Sequence, residues 1–112
     1  MADYLPLSSA ADFEDALEAS GAHRIAILKH STTCPVSSLA KNRVDRALRD
    51  GSLDLPVYYL DLLRYRSVSD LIAERLGVRH ESPQLIVVER GEAVYSSTHL
   101  AIDPAAVPAP AG

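Results

Sequence analysis

The chain has one cysteine, no tryptophan and a single phenylalanine among 112 residues. One cysteine excludes an internal disulfide and any two-cysteine redox motif, and it points to a reducing compartment. With so few aromatic side chains, a core must be filled by Leu, Ile, Val and Ala. No apolar run nears the roughly 20 residues that cross a bilayer. Met1–Ser9 lacks the basic start and long apolar stretch of a secretory signal. No membrane partner and a cytoplasmic location are therefore expected. Eleven Lys and Arg stand against fifteen Asp and Glu, for a net charge of −4, and no basic block stands out. Phosphate binding draws on concentrated positive charge, so nucleic acid is not an expected partner.

What remains is an ordinary globular composition, 47% hydrophobic and 23% charged. The length suits one domain, which at this size hides roughly two-thirds of its unfolded surface. The order of elements is legible from periodicity. Ser8 or Ser9 caps a first helix with Phe13 and Leu17 on one face and Gly21 beyond its end. Residues 24–29 (RIAILK) read as a buried strand. Pro35 fits the first turn of a second helix carrying Ala40, Val44, Ala47 and Leu48 inward, which runs to about Asp50 before Gly51. Residues 55–60 (LPVYYL) form a second strand. A third helix, capped by Ser67 or Ser69, turns Val68, Leu71, Ile72 and Leu76 to one side and closes at Gly77.

Residues 84–88 (QLIVV) and 92–97 (EAVYSS) then form a hairpin across Glu89, Arg90 and Gly91. The order α-β-α-β-α-β-β implies an α/β layer with a mixed sheet, parallel where helices intervene and antiparallel in the hairpin. The expected domain is 1–102. Residues 103–112 (DPAAVPAPAG) hold three prolines and little charge, and read as a frayed, disordered tail.

Cys34 lies a few residues past a strand and at the opening of a helix, within residues 29–37 (KHSTTCPVS). A lone cysteine is more often a small buried hydrophobe than a reactive group. Here the position argues otherwise. Free N–H groups and the helix dipole favour thiolate, which lowers a thiol pKa from about 8.5 towards roughly 3.5–7.5. Lys29 and His30 would add positive charge. Ser37 stands where a C-x-x-C pair would have its second cysteine; its hydroxyl either bonds weakly to sulfur or is simply polar in a first turn. His23, His30, His80 and His99 are scattered and show no metal-ligand spacing with Cys34, so no metal is expected.

The second landmark is Ser82-Pro83-Gln84, a proline opening an apolar strand. From about Asp12 to His99 the chain resembles the thioredoxin superfamily. Its two segments KHSTTCPVS and HESPQ resemble the YtxJ-like monothiol bacilliredoxins. That resemblance implies a thioredoxin-like α/β fold with helices flanking a central mixed sheet. It makes Cys34 the redox nucleophile, with Thr33, Pro35, Val36 and Ser37 as the active-site motif. Ser82 and Pro83 would form a cis-proline groove facing Cys34. It further implies exchange with bacillithiol as thiol co-substrate and no other cofactor, on bacillithiolated proteins, with a disulfide reductase as a further partner. A non-catalytic redox sensor and a peptide-binding adaptor are the rival readings.

Overall fold

A computed structural model of the chain describes residues 4–108. Its elements in chain order are β1 (Leu5–Pro6), α1 (Ala10–Ala19), β2 (Ile25–His30), α2 (Pro35–Asp50), β3 (Val57–Asp61), α3 (Arg66–Leu76), β4 (Gln84–Glu89) and β5 (Glu92–Thr98). The sheet order is β1-β3-β2-β4-β5. The first three of these strands run parallel, β4 is antiparallel to β2, and β5 is antiparallel to β4. This is the α/β mixed sheet expected from the sequence, with one strand more.

The extra strand is β1. Two residues carry no readable alternation, yet Leu5 and Pro6 pair with Tyr58 and Tyr59, and the Leu7 N–H donates to the Tyr59 carbonyl at 3.1 Å. Proline is tolerated there because β1 is an edge.

Helix boundaries follow their caps. Ser9 accepts from the Asp12 N–H at 3.1 Å while Asp12 accepts from the Ser8 N–H at 2.9 Å, a reciprocal start for α1. Pro35 opens α2 and Gly51, at φ 79°, ends it in the left-handed region that glycine enters freely. The start of α3 differs from expectation. Ser67 and Ser69 both lie inside the helix, and Tyr65 stands at the cap position. The Asp61 carbonyl accepts from the N–H groups of Arg64 and Tyr65, so a tight turn directly after β3 launches the helix earlier than a serine cap would.

Two apolar layers sandwich the sheet. On one face Phe13 and Ala16 of α1 and Val68 and Ile72 of α3 meet Ile25, Ile27, Leu60, Ile86 and Val88. On the other, Ala40, Val44 and Ala47 of α2 meet Ala26, Leu28, Val57, Leu85 and Val87. β2, β3 and β4 feed both layers by alternation. The β4–β5 hairpin turns through Arg90 (φ 52°) and Gly91 (φ 76°), with a register shift at Val87/Val88. Arg90 holds a conformation unfavourable for a side-chain residue. The carbonyl and hydroxyl of Ser20 at the end of α1 steady it, taking the N–H groups of Arg90 (2.8 Å) and Gly91 (2.9 Å).

The expected tail needs correction over residues 103–108. After β5 the chain forms short 3-10 turns at His99–Ala101 and Pro104–Ala106. Ile102 is wholly buried and Val107 packs against the α2 layer. Arg43 donates to the carbonyls of Leu100 (2.9 Å) and Ile102 (3.0 Å), and Arg24 to that of Pro108 (2.7 Å). Prolines that forbid a regular helix are compatible with a 3-10 turn capped by Asp103, whose carboxylate accepts from the Ala105 N–H. This segment lies over the α2 layer of the core. The rest of the expected tail, 109–112, lies outside the described residues.

Candidate active site

Cys34 is the N-cap residue of α2, with extended backbone (φ −101°, ψ 119°) and partial exposure. Its own N–H donates to the Ser31 carbonyl at 3.2 Å, which closes the loop from β2 into the helix. The amide N–H of Ser37 holds the thiol below its ordinary value. Desolvation opposes it, and the amide of Val36 and the Ser37 hydroxyl add smaller lowering effects. These are the unpaired donors of a helix start, aimed at sulfur.

Ser37 has two tasks. It is completely buried, and its oxygen accepts the Ser31 N–H at 3.3 Å while its hydroxyl faces Cys34. It therefore ties the active loop to the first helical turn. Thr33 and Pro35 are exposed and Val36 is half-buried beside the thiol. A bond of 3.3 Å between the hydroxyls of Thr33 and Ser31 closes the loop further.

Lys29 and His30 do not act as the sequence suggested. Neither is among the groups that lower the Cys34 thiol. Lys29, fully buried, turns to the α3 face, where its ammonium donates to the Ser69 carbonyl at 3.2 Å and lies 3.4 Å from Nδ1 of His80. Burial lowers its pKa to about 8, with Asp70 opposing. His30 turns to the α2 face, and its Nδ1 sits 2.7 Å from the Tyr59 hydroxyl. Burial, then the charge of Lys41, lowers the His30 pKa, so its neutral form is favoured. Its Nε2 is buried and has no hydrogen-bond partner among the described residues.

Residues the sequence did not single out complete this side. Tyr4 donates to Asp45, Lys41 pairs with Asp45 at 3.2 Å, and the Lys41 ammonium lies 5.0 Å from the Tyr4 ring centre. The Lys41–Asp45 pair at helical i,i+4 spacing was visible in the sequence; its closure onto Tyr4, 41 residues away, was not.

The Ser82–Pro83 peptide bond is cis and Pro83 is buried. Antiparallel pairing of Lys29 with Gln84 sets Pro83 beside the end of β2, from which the Cys34 loop departs. Both landmarks thus emerge at the same end of adjacent strands. The His99 N–H donates to the Pro83 carbonyl at 3.1 Å, and Ser82 Oγ is buried without a hydrogen-bond partner among the described residues. Among the described residues no group of three His, Cys, Asp or Glu side chains is placed to hold a metal, and no helix is long and apolar enough to cross a membrane.

A family model described as monothiol bacilliredoxin BrxC matches residues 5–107. The chain belongs to the monothiol bacilliredoxin family. It is a thiol–disulfide oxidoreductase of thioredoxin fold. A solved structure described as an oxidoreductase with a thioredoxin fold is 35% identical, with a TM-score of 0.82 over 93% of this chain and 89% of the other. The thioredoxin of Malassezia sympodialis is 16% identical (TM-score 0.69, 93% and 84% covered). A thioredoxin variant from Halobacterium salinarum is 17% identical (TM-score 0.66, 88% and 79% covered). These two thioredoxins share the fold with this bacilliredoxin-family chain.

Proposed function

We propose that Cys34 removes bacillithiol from mixed disulfides on proteins by single-cysteine exchange. The observation that carries this is the seat of Cys34: a helix-start thiol held below its ordinary pKa, with buried Ser37 one turn on instead of a second cysteine.

The Cys34 thiolate attacks the bacillithiol sulfur of the mixed disulfide. That S–S bond breaks, the protein leaves as thiolate and takes up a proton, and a new disulfide joins Cys34 to bacillithiol. A second bacillithiol thiolate then attacks the captured sulfur and restores Cys34, leaving oxidised bacillithiol for a disulfide reductase. The first step has no net oxidation. The substrate would lie between the 33–37 loop and Ser82–Pro83. The cytoplasm, where free thiols are kept reduced, suits this cycle.

The direct test incubates the protein with a bacillithiolated substrate and, separately, with insulin, and follows both by mass spectrometry and turbidity. Decapping with a bacillithiol adduct on Cys34, its loss in Cys34→Ser, and little insulin reduction are expected. Rapid insulin reduction by the wild-type chain, or unchanged decapping by Cys34→Ser, would overturn the proposal.

A further inference from the structure

Lys29 is the least economical residue in the fold. Its side chain is entirely buried, and among the described residues no carboxylate lies within ion-pair distance of it. A buried cation costs stability unless geometry repays it, and an apolar side chain of the same length would suit the layer of Ile25, Ile27 and Ile86 better. What the ammonium does instead is join three parts of the chain. It leaves β2, donates to the Ser69 carbonyl on α3, and reaches Nδ1 of His80, to which the Ser69 hydroxyl is also bonded at 3.1 Å.

Gln84 faces Lys29 across the β2–β4 pair, on the same side of the sheet. It is also buried, and its amide donates to the Arg79 carbonyl at 3.0 Å. Two opposed residues on adjacent strands thus each hold the segment that leads into Ser82–Pro83, one at Arg79 and one at His80. Apolar packing alone would leave this stretch, with half-exposed His80, Glu81 and Ser82, free to move.

We infer that Lys29 and His80, with Ser69 and Gln84, are positioning residues that hold the 79–83 segment in place for the substrate. The inference rests on the proposed exchange at Cys34. It assigns Lys29 to the substrate's side of the reaction and not to the thiol's, because Lys29 and the α2 layer that carries Cys34 lie on opposite faces of the sheet.

The test compares Lys29→Met, His80→Leu and His80→Asn with the wild-type chain. Asn places an oxygen where Nδ1 accepts, so it keeps the bond that Leu loses. Decapping of a bacillithiolated protein is measured as KM and kcat, Cys34 alkylation by iodoacetamide as rate against pH, and folding by thermal denaturation. Lys29→Met and His80→Leu should each lose about ten-fold in kcat/KM, mainly through KM, as expected when a docking surface shifts slightly. Alkylation rate and pH profile should stay as in wild type, and His80→Asn should recover most of the loss.

Unchanged kcat/KM in Lys29→Met and His80→Leu, an equal fall in alkylation rate, or no recovery in His80→Asn would overturn the inference. Should Lys29→Met fail to fold, the two His80 variants decide alone. The parent reading is judged separately on the wild-type chain. Absence of decapping there sinks the function, whereas normal wild-type decapping with unaffected variants sinks only the positioning role.

Discussion

Lys29 and His30 are adjacent, polar and buried, and they share almost nothing else. Lys29 enters the layer of α1 and α3 and holds the approach to Pro83; His30 enters the α2 layer and meets Tyr59. Strand alternation separates them as completely as a change of domain would. The teaching point is that closeness in sequence to a reactive cysteine does not place a charge beside it. The thiol is governed by the amides of its own helix start, and its two basic neighbours serve opposite faces of the sheet.

The largest effect that would sharpen this contrast is a stability difference. The native Lys29 pKa of about 8 lies below the value of roughly 10.4 for a free lysine. Below pH 8 both folded and unfolded chains hold the proton, and the buried charge costs its full amount. Between pH 8 and 10.4 the folded chain releases the proton while the unfolded chain keeps it, so folding is increasingly favoured as pH rises. Lys29→Met should therefore be more stable than wild type at pH 7. The gap should close by up to on the order of 3 kcal/mol as pH rises to 10 and beyond. Urea unfolding of both chains across pH 7–10 measures it. A gap independent of pH would mean that folded Lys29 keeps its proton as long as the unfolded chain does, so that burial does not lower its pKa.

A smaller effect is expected on the other face. Ser37→Ala removes the acceptor of the Ser31 N–H and the hydroxyl facing sulfur. It should cost about 1–2 kcal/mol and raise the Cys34 pKa, because one of the groups stabilising the thiolate is gone. Iodoacetamide rates across pH report the second change. A thiol that titrates as in wild type would return its control to the backbone amides alone. The smallest effect is Val107→Ala. Val107 is only partly buried, so about 1 kcal/mol is expected, read as a small fall in melting temperature. No change would show that Val107 does not help to anchor the segment.

Legibility in the sequence tracks how local the cause is. The limits of α2 were readable within a turn, because proline near the start and glycine beyond the end act locally. Cys34, Ser37 and Pro83 were readable for the same reason, each standing at an element boundary. The start of α3 was not, because the carbonyl of Asp61 and not a serine side chain organises it. β1 depends wholly on its partner strand. The Tyr4–Asp45 bond and the Lys29–His80 contact join residues 41 and 51 apart, and no periodicity carries that information. The segment after β5 was misread because proline argues against a helix but says nothing against a capped 3-10 turn laid over the α2 layer.

One buried hydroxyl also fixes the order of the kinetics. With Ser37 where an internal resolving thiol would stand, and no other cysteine in the chain, whatever is captured on Cys34 must wait for a thiol arriving by diffusion. The lifetime of the capped protein is then inversely proportional to the concentration of free thiol around it. Under the proposed exchange, the steady-state ratio of capped to free Cys34 would follow the ratio of mixed disulfide to free thiol, weighted by two rate constants. The pace of turnover would then be dictated by the surroundings, and the occupancy of Cys34 would be a running measure of them.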